Sequence, residues 1–315
     1  MLYDNDINYR YSGVKSVNNK KILITGVTGQ VAFPFALHHV ENNEVWAIAR
    51  FGDTDKKAAL EAAGVHCRVV DLCDGEYGDL PTDFDAVFHF AVARIKEDDF
   101  ELELTANAEA TGKLMSFCRD AKAFFHCSTS GVYQSVGHDL LTETSSLGDN
   151  HRAMMPTYSI GKIAVEAVVR FCAQEYNLPT VIARLNTPYG ESGWPFYHLM
   201  MMQHNIDIAV HSDGPSQYTL IHQDDINRLA PKFLAQASVP AEIFNLSGQE
   251  HVSIEEWVAY IESLTGLTAK FKVTSDTLES VKTDNTKMCE AIGPATVTWQ
   301  EGIRAMVEKA GALKS

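Results

Sequence analysis

The feature that most constrains the fold is a short glycine turn near the start of the chain, in the segment KILITGVTGQVA (residues 21–32). Aliphatic residues precede Gly26, and a helical pattern begins near Gln30. A buried strand that turns tightly into a helix presents backbone N–H groups at the helix N-terminus, where they bind phosphate. Gly26 and Gly29 could also do no more than form the turn. The secondary structure around the motif therefore decides whether it indicates phosphate binding.

Short apolar runs alternate with segments of helical length and period through the first 185 residues. The runs are apolar almost continuously, as in parallel strands that are covered on both faces. This alternation predicts an α/β fold with a Rossmann-type doubly wound parallel sheet. The predicted strands are residues 21–25, 44–49, 66–71, 85–90, 123–129 and 180–185, and residues 242–248 are predicted to return one strand to the sheet.

The alternation ends after Leu185, which predicts a smaller, interleaved C-terminal lobe. The predicted parts are an N-terminal arm (1–19), an NAD(P)-binding Rossmann domain (20–185) with a returning segment near 224–248, and a substrate-binding lobe (186–315). Ser253 with Glu256, and Thr298 with Glu301, have the spacing of capping boxes and predict the starts of two helices in this lobe.

Charge and cysteine usage exclude several classes of function. The chain has 41 acidic and 26 basic residues and a formal net charge of −15, which argues against nucleic acid or an anionic membrane as a partner. No apolar run approaches the roughly 20 residues of a membrane span, and residues 1–20 lack an apolar signal-peptide core, so a cytoplasmic location is expected. The six cysteines and twelve histidines lack ligand spacing, which predicts reduced thiols and no metal site.

The residues after the second predicted strand bear on the choice of nicotinamide cofactor. An NAD-binding fold places Asp or Glu about 20 residues beyond the last glycine, on the ribose 2′-hydroxyl. Here the strand ends in Ala49 and Arg50, and a guanidinium suits a 2′-phosphate. Asp53 follows closely, and its carboxylate would suit the ribose 2′-hydroxyl of NAD. We therefore predict NADP as the preferred cofactor and NAD as the alternative.

The segment YSIGK places Tyr158 and Lys162 one helical turn apart, on one face of a helix. A phenol with a pKa of about 10 is a weak base at neutral pH, and a nearby ammonium group is expected to lower that pKa. The segment HCSTSGVY (126–133) supplies hydroxyls at a strand end, where open α/β sheets bind ligands. The pattern predicts acid/base chemistry at an alcohol or carbonyl oxygen.

In this order, the motifs resemble the extended short-chain dehydrogenase/reductase superfamily, of the NAD-dependent epimerase/dehydratase type, over nearly the whole chain. TGVTGQVA is similar to the family's TGxxGxxG turn, YSIGK to its YxxxK, and FHFAVA (88–93) to the strand end along the cofactor. CSTSGVYQ, RLNTPYG, LIHQDDI and IFNLSG resemble four further family segments.

The resemblance implies a role for each matching residue. Thr129 would polarise the substrate oxygen, with Ser128 and Ser130 as alternatives, Tyr158 would be the general acid/base, and Lys162 would bind the nicotinamide ribose and tune Tyr158. Asn107 would support the site from its helix. The predicted cofactor-binding residues are Gly26, Thr28, Gly29, Gln30, Val31, Arg50, Asp71, Leu72, Phe90, Ala91, Val92, Tyr158, Lys162, Asn186 and Thr187. The candidate substrate residues are Ser130, Asn186, His198, Tyr218 and His222.

Two departures from the family pattern guide the functional prediction. Tyr218 stands where nucleotide-sugar members have an arginine, and Ser130 and Gly131 stand where dehydratases have Asp and Glu after the threonine. We predict an NAD(P)-dependent oxidoreductase acting on a small-molecule secondary alcohol or ketone. The alternative is a nucleotide-sugar epimerase that retains NAD. A third hypothesis is a sensor that binds NAD(P) without turnover. A sensor would not need Tyr158, Lys162 and Thr129 together, so their presence argues against it.

The helix that starts at Tyr158 has two apolar stripes, one containing Ile160 and Phe171 and the other containing Val165 and Val169. A helix that is apolar on two faces is buried on two sides, and the sheet can cover only one. The family resembled pairs such helices into a four-helix bundle between two chains. We therefore predict a homodimer through this helix and the earlier helix around Ala106, Ala110, Leu114 and Phe117, with Val165 and Val169 at the contact. The alternative is that the C-terminal lobe covers the second face.

Overall fold

The computed structural model describes residues 9–10, 17–95 and 98–314, and most of the predicted arm (1–19) lies outside these ranges. The strands are β1 (Tyr9–Arg10), β2 (Lys21–Thr25), β3 (Glu44–Ala49), β4 (His66–Val69), β5 (Ala86–His89), β6 (Phe124–Thr129), β7 (Leu140–Leu141), β8 (Thr180–Leu185), β9 (Pro188–Tyr189), β10 (Ile208–His211), β11 (Gln217–Thr219), β12 (Ile221–His222), β13 (Ser238–Val239), β14 (Glu242–Leu246), β15 (His251–Ser253), β16 (Phe271–Thr274) and β17 (Lys282–Thr283).

The helices are α1 (Ala32–His39), α2 (Thr54–Ala62), α3 (Phe100–Glu103), α4 (Ala110–Phe117), α5 (Tyr158–Glu175), α6 (Trp194–Gln203), α7 (Gln223–Leu229), α8 (Ile254–Thr265), α9 (Thr286–Ile292) and α10 (Trp299–Lys309). A π-helical segment (Leu104–Glu109) joins α3 to α4, and a 3₁₀ segment (Ala230–Gln236) follows α7. Among these described elements, no helix has the length and apolar character needed to cross a membrane.

Six parallel strands form the body of the main sheet, in the order β4-β3-β2-β5-β6-β8. In chain order these are the third, second, first, fourth, fifth and sixth strands, which is the order of a doubly wound Rossmann fold. The predicted returning strand is β14, which pairs parallel to β8. β13 and β1 extend this edge in the antiparallel direction. The predicted fold class is confirmed.

Helices cover both faces of the sheet, which explains why its strands are apolar almost throughout. On one face, α1, α7 and the 3₁₀ segment pack around Phe35, Phe88 and Phe233. On the other face, α4 and α5 pack through Leu114 and Val169. All five side chains are fully buried. Since both faces are closed, polar functional groups are left to the loops at the ends of the strands.

A second hydrophobic core, around Trp257, belongs to the C-terminal lobe. It is built from α6, α8 and α10 with short strands between them. The predicted capping boxes at the starts of α8 and α10 are present. The lobe interleaves with the sheet, because the C-terminal part of the chain also supplies β14, which pairs with β8. It supplies Met288 of α9 as well, which is buried in the core on one face of the sheet. The domain ranges themselves stay a prediction.

The structure shows which apolar stripe of α5 faces the sheet. Val165 and Val169 are 2% and 0% exposed and lie in the core beneath α5. Ile160 and Phe171, on the other stripe, are 39% and 63% exposed. The predicted contact between chains at Val165 and Val169 was therefore wrong, because the sheet already covers these side chains.

Candidate active site

A cleft of about 1190 Å³ opens where the strand order reverses between β2 and β5. Open α/β sheets bind ligands at this position, outside the carboxyl ends of the strands. The predicted site residues that line the cleft are Gly26, Thr28, Gly29, Gln30, Val31, Arg50, Asp71, Leu72, Phe90, Ala91, Val92, Thr129, Ser130, Tyr158, Lys162, Asn186, Thr187 and Tyr218. The fold thus brings nearly all of the predicted residues into one cleft.

The glycine turn after β2 forms one wall of this cleft. Gly26 has a φ of +72°, in the left-handed region that favours glycine. A Cβ atom on Gly26 would lie 2.6 Å from Cα of Ala91, and one on Gly29 would lie 3.0 Å from the carbonyl oxygen of Gly26. α1 begins at Ala32, two residues after its predicted start. The turn is bare of side chains at these two positions, and this fits the close approach of an NAD(P) diphosphate.

Two glutamines connect the glycine turn to the C-terminal lobe. Gln30 Nε2 donates to the carbonyl oxygen of Pro188 at 3.0 Å. Gln223 Nε2 donates to the carbonyl oxygen of Val31 at 3.2 Å. The wall predicted to hold the cofactor is therefore fixed directly to the lobe predicted to hold the substrate.

The segment after β3 carries the residues predicted to choose between NAD and NADP. Arg50 is exposed and lines the cleft. The carboxylate of Asp53 caps α2, where it accepts from the backbone N of Lys56 at 3.0 Å. Lys56 Nζ donates to the carbonyl oxygen of Thr28 at 2.8 Å. This end of the cleft therefore has two cations, while the carboxylate of Asp53 is committed to a helix cap.

Tyr158 and Lys162 lie at the N-terminal end of α5, and Thr129 lies beside them at the end of β6. Thr129 acts on the Tyr158 hydroxyl closely enough to lower its pKa, and Thr129 Oγ1 accepts from the backbone N of Gly131 at 3.0 Å. Lys162 is buried, and its Nζ donates to the carbonyl oxygen of Cys127 at 3.0 Å. The hydroxyl, phenol and ammonium groups named from the sequence therefore meet in the cleft.

The electrostatics of Tyr158 differ from the expectation. Burial raises the pKa of Tyr158, and the hydrogen bond with Thr129 and the charge of Arg94 oppose that rise without cancelling it. Burial also lowers the pKa of Lys162. The pKa of Tyr158 is therefore raised where the sequence predicted a lowered value, because desolvation dominates. The Lys162 ammonium group is hydrogen-bonded to the backbone of Cys127, and its tuning of Tyr158 stays a prediction.

A buried ion pair behind the cleft decides which hydroxyl of the β6 segment is free. Arg184 Nη2 lies 2.7 Å from Glu166 Oε2, and both side chains are almost fully buried. Ser128 Oγ donates to Glu166 Oε1 at 2.5 Å. Because the hydroxyl of Ser128 is committed to this carboxylate, Thr129 and Ser130 are the hydroxyls left to contact a substrate.

A second buried carboxylate connects the helix of Asn107 to the start of α5. Glu103 Oε1 accepts from Asn107 Nδ2 at 2.7 Å, and its Oε2 accepts from Thr157 Oγ1 at 2.9 Å. The Asn107 side chain also exchanges two hydrogen bonds with the backbone of Ala93, at 2.8 and 3.0 Å. A Cβ on Gly161 would lie 2.2 Å from Glu103 Oε1, so glycine makes room for this contact. The network fixes the loop after β5 against the start of α5.

The candidate substrate residues divide into two groups. Ser130, Asn186 and Tyr218 line the cleft. The Asn186 amide is already used within the protein, since its Nδ2 donates to Val281 and Thr283. Asn186 therefore shapes the cleft more than it offers free hydrogen-bonding groups.

His198 and His222 are corrections to the predicted set, because neither lines the cleft. His198 Nδ1 accepts from Trp257 Nε1 at 2.9 Å inside the core of the C-terminal lobe. The side chain of His222 caps α7 by accepting from the backbone N of Asp224. Both imidazoles serve the structure of their own elements.

The sequence analysis missed several residues that line the cleft. His151, Met154 and Met155 lie on the segment just before α5, and Trp194 and Tyr197 lie on α6. These residues belong to no motif. The one sequence signal for the first three was their position immediately before the predicted catalytic helix.

Hydrogen bonds hold His151 in a defined orientation. Asn150 Nδ2 donates to the carbonyl oxygen of Ser130 at 3.1 Å, which turns the amide oxygen of Asn150 toward His151. His151 Nδ1 lies 2.5 Å from that oxygen, so Nδ1 carries the ring proton and Nε2 is an acceptor. The backbone N of His151 donates to Ser159 Oγ at 3.2 Å. Burial lowers the pKa of His151 to about 4, and its ring centroid lies 5.5 Å from that of Tyr158.

The Rossmann sheet, the glycine turn and the Tyr158–Lys162 pair define an NAD(P)-dependent enzyme of the extended short-chain dehydrogenase/reductase class. Residues 22–247 match the model of the NAD-dependent epimerase/dehydratase family, and the chain belongs to that family. The predicted resemblance is confirmed.

Two curated relatives illustrate the range of this family. An uncharacterized UDP-glucose epimerase of Bacillus subtilis is 25% identical over 192 residues, 58% of this chain and 59% of that protein, so the match spans less than two thirds of this relative. The dTDP-glucose 4,6-dehydratase of Neisseria meningitidis is 24% identical over 266 residues, 75% of this chain and 73% of that protein.

Solved structures of the same fold cover nearly the whole chain. UDP-glucuronic acid 4-epimerase from Bacillus cereus, in complex with NAD, has a TM-score of 0.79 and 22% identity, covering 92% of this chain and 99% of its own. UDP-N-acetylglucosamine 4-epimerase from Methanobrevibacter ruminantium has a TM-score of 0.79 and 17% identity, covering 93% and 98%. At these identities the likeness establishes the fold.

Proposed function

We propose that this enzyme transfers a hydride to or from a secondary alcohol or ketone carbon, with Tyr158 as the acid/base. The observation that carries the proposal is that Tyr158, Thr129 and Lys162 lie in the same cleft as the glycine turn. When bound, NAD(P) supplies the donor or acceptor of the hydride.

The side chains of the cleft handle the proton. Tyr158 Oη would exchange a proton with the substrate oxygen as the C–H bond forms or breaks. Thr129 Oγ1 would bind the same oxygen, since Thr129 and Tyr158 line the cleft together. The raised pKa of Tyr158 favours the protonated phenol, which is the form that donates to a ketone oxygen during reduction.

Separate parts of the cleft would hold the cofactor. The turn at Gly26–Val31 would bind the diphosphate, and Asp71 with Leu72 would lie by the adenine. Lys162 would bind the nicotinamide ribose, because it lies in the cleft one helical turn from Tyr158.

Two overall reactions share this hydride-transfer step. The relatives named as nucleotide-sugar epimerases favour an epimerase that oxidises and re-reduces one carbon and retains NAD, and we place it first. The oxidoreductase predicted from the sequence is the second candidate. Tyr218 favours it, because a phenol that donates to the carbonyls of Leu278 and Glu279 stands where the family pattern has an arginine for the diphosphate.

We propose NADP as the preferred cofactor. Arg50 is exposed in the cleft, where its guanidinium would meet a 2′-phosphate, and Lys56, which donates to the carbonyl oxygen of Thr28, adds a second cation to the lining. Asp53, whose carboxylate would suit the 2′-hydroxyl of NAD, caps α2 instead. Related structures are in complex with NAD, which makes NAD the alternative.

We also propose a homodimer formed through the exposed stripe of α5. The elements that pack most closely on α5 are the π-helical segment and α4, together with the strands beneath it. Ile160 and Phe171 remain exposed on this helix. An apolar stripe of this kind on a long helix favours a contact with a second copy.

The experiment that tests the reaction identifies the cofactor carried by the purified protein and then assays UDP-glucose, UDP-glucuronic acid and free secondary alcohols. An epimerase yields the inverted sugar without net change in NAD(P)H absorbance. An oxidoreductase changes that absorbance in proportion to product. Binding of neither NAD(P) nor any of these substrates would refute the proposal.

Replacing Tyr158 by Phe tests the acid/base role. The fold and cofactor affinity should persist, and turnover should fall roughly a hundredfold or more, because the transferable proton is removed. Tyr197→Phe is the matched control, since Tyr197 also lines the cleft but its hydroxyl lies near Ser192. If Tyr158→Phe kept more than about a tenth of the wild-type rate, Tyr158 would not be the acid/base.

A further inference from the structure

We propose that the buried carboxylate of Glu103 is the counter-ion of Lys162, a positioning residue that acts on the chemistry of the cleft only through that ammonium group. Glu103 belongs to none of the family motifs identified in the sequence, and it does not itself line the cleft. Its role in catalysis rests on the proposed function, whereas the pairing of the two charges is a property of the protein without any ligand.

The hydrogen bonds of Glu103 are those of an ionised carboxylate. The backbone N of Ala93 donates to Asn107 Oδ1 at 2.8 Å, so the end of the Asn107 amide that faces Glu103 is the donor Nδ2. Nδ2 donates to Glu103 Oε1 at 2.7 Å, and Thr157 Oγ1 donates to Oε2 at 2.9 Å. Both oxygens therefore accept, as an ionised carboxylate does.

The carboxylate lies against the N-terminal turn of α5. A Cβ atom on Gly161 would overlap Glu103 Oε1, and Gly161 directly precedes Lys162 in the chain. Glu103 is 1% exposed and Lys162 is 4% exposed. The start of a helix favours a negative charge, and two buried charges interact more strongly than the same charges in water. The two groups can therefore stabilise each other without a direct contact.

The other acidic groups near Lys162 do not supply this negative charge. Burial lowers the pKa of Lys162, and the charges of Cys127, Glu166 and Glu103 oppose that effect. Burial raises the pKa of Cys127 to about 11, so its thiol is neutral at physiological pH. Arg184 neutralises Glu166 through hydrogen bonds of 3.0 and 2.7 Å. The hydrogen bonds that the described residues make to Glu103 come from neutral donors, which leaves its charge for Lys162.

The remaining titratable groups around Lys162 are neutral. Burial lowers the pKa of His89 to about 3 and holds that of His126 well below its usual range, so neither imidazole adds a charge. Burial raises the pKa of Tyr158, and the charge of Glu103 adds to that rise. One carboxylate therefore favours both the charged ammonium and the protonated phenol.

Glu103→Gln tests the inference, because it removes the charge and can keep the hydrogen bonds. The amide oxygen can accept from Asn107, and the amide N–H can donate to the hydroxyl of Thr157. Carbon-13 NMR of protein labelled at Cε of lysine follows the ammonium group of Lys162 without cofactor or substrate, and Lys162→Met assigns the signal. We expect a lower titration midpoint for Lys162 in Glu103→Gln than in the wild type, because a negative charge that favours the ammonium form is lost.

Glu262→Gln is the matched control. Glu262 lies on α8 in the C-terminal lobe, where its Oε1 accepts from the backbone N of Ala269 at 2.7 Å. This variant removes one carboxylate far along the chain from the cleft helix and should leave the midpoint of Lys162 unchanged. A midpoint in Glu103→Gln equal to that of the wild type would overturn the inference.

Two further variants separate charge from shape. Glu103→Ala removes the charge together with the side chain, and Glu103→Asp keeps the charge on a shorter side chain. We expect the Lys162 midpoint in Glu103→Asp to stay closer to that of the wild type than the midpoint in Glu103→Ala does. A midpoint as low in Glu103→Asp as in Glu103→Ala would mean that packing controls Lys162, and it would overturn the inference even if Glu103→Gln did not fold.

A binding measurement connects the counter-ion to the proposed function. Lys162 is proposed to bind the nicotinamide ribose, and a charged donor binds a hydroxyl more strongly than a neutral one. The affinity of Glu103→Gln for NAD(P)H, measured by protein fluorescence, should therefore begin to fall at a lower pH than that of the wild type. A lowered Lys162 midpoint with unchanged NAD(P)H affinity would support the counter-ion and contradict the ribose contact, so the two claims fail separately.

Discussion

At the scale of single residues, desolvation governs the chemistry of the cleft. Burial raises the pKa of Tyr158 and lowers those of Lys162 and His151, so each group is shifted toward its neutral form. A phenol that keeps its proton and an imidazole that keeps a free lone pair are complementary, since one donates and the other accepts.

The shift of Tyr158 can be measured directly. Its raised pKa means that the phenol ionises only above the ordinary value of about 10. We expect the ultraviolet titration of the wild type minus that of Tyr158→Phe to show no phenolate from this residue between pH 7 and about pH 10. A phenolate signal that the variant loses within this range would show that the neighbouring positive charges outweigh burial.

Arg50→Ala tests the choice of cofactor. The variant should bind NADPH roughly tenfold or more weakly, because a charge-assisted contact to the 2′-phosphate is lost, while NADH affinity should hardly change. Dissociation constants from protein fluorescence measure both. Arg68→Ala is the matched control. It removes an arginine of β4 that is paired with Asp79. An equal loss for the two cofactors would mean that Arg50 does not bind the 2′-phosphate.

At the scale of elements, what could be predicted from the sequence was local. β2 and β8 have the predicted bounds, and each capping box needs only two residues three apart. The segment before α5 could not be predicted, because Asn150 is held by the carbonyl oxygen of Ser130 and the backbone N of His151 by Ser159, through contacts that no periodicity records. The orientation of α5 was equally hidden, since both of its stripes are apolar and only the packed sheet distinguishes them.

Gly161→Ala tests how closely two elements pack. The new methyl group would overlap Glu103 Oε1, so we expect a loss of about 1–3 kcal/mol in the free energy of unfolding. This loss is the net result after the gain of about 1 kcal/mol that alanine gives a helix over glycine. Gly112→Ala in α4 is the matched control, because its Cβ would lie 3.2 Å from Cγ1 of Val168, a contact that a shift of a few tenths of an ångström relieves. Equal urea midpoints for the two variants would contradict the packing argument.

At the scale of the whole molecule, charge is unevenly distributed. The chain has a net charge of −15, yet the charged residues that line the cleft are four cations and two carboxylates. They are Arg50, Lys56, Arg94 and Lys162 against Asp53 and Asp71. A cationic cleft in an acidic protein attracts an anionic ligand to the cleft, while the negative charge elsewhere repels anionic surfaces such as nucleic acid.

The proposed dimer is tested by placing charge on the exposed stripe of α5. Ile160→Glu with Phe171→Glu should convert a two-chain mass in light scattering at micromolar concentration to that of one chain, since paired carboxylates cannot be buried at a symmetric contact. Val273→Glu, which is 67% exposed on β16 in the other lobe, is the matched control. A wild-type mass of one chain would rule out the dimer, and a dimer that survives the double change would rule out this face.

The late return of β14 has a consequence for synthesis on the ribosome. When residue 185 has emerged, β8 is the open edge of a nearly finished parallel sheet, and its partner β14 is completed only at Leu246. Met288 of α9, which closes part of the core beside it, is made later still. The nascent chain therefore carries an exposed apolar edge while about sixty residues are added, a period of several seconds at roughly 5–20 residues per second. Ribosome-associated chaperones that shield strand edges would act during this interval, and a chain cut at residue 185 would keep that edge permanently.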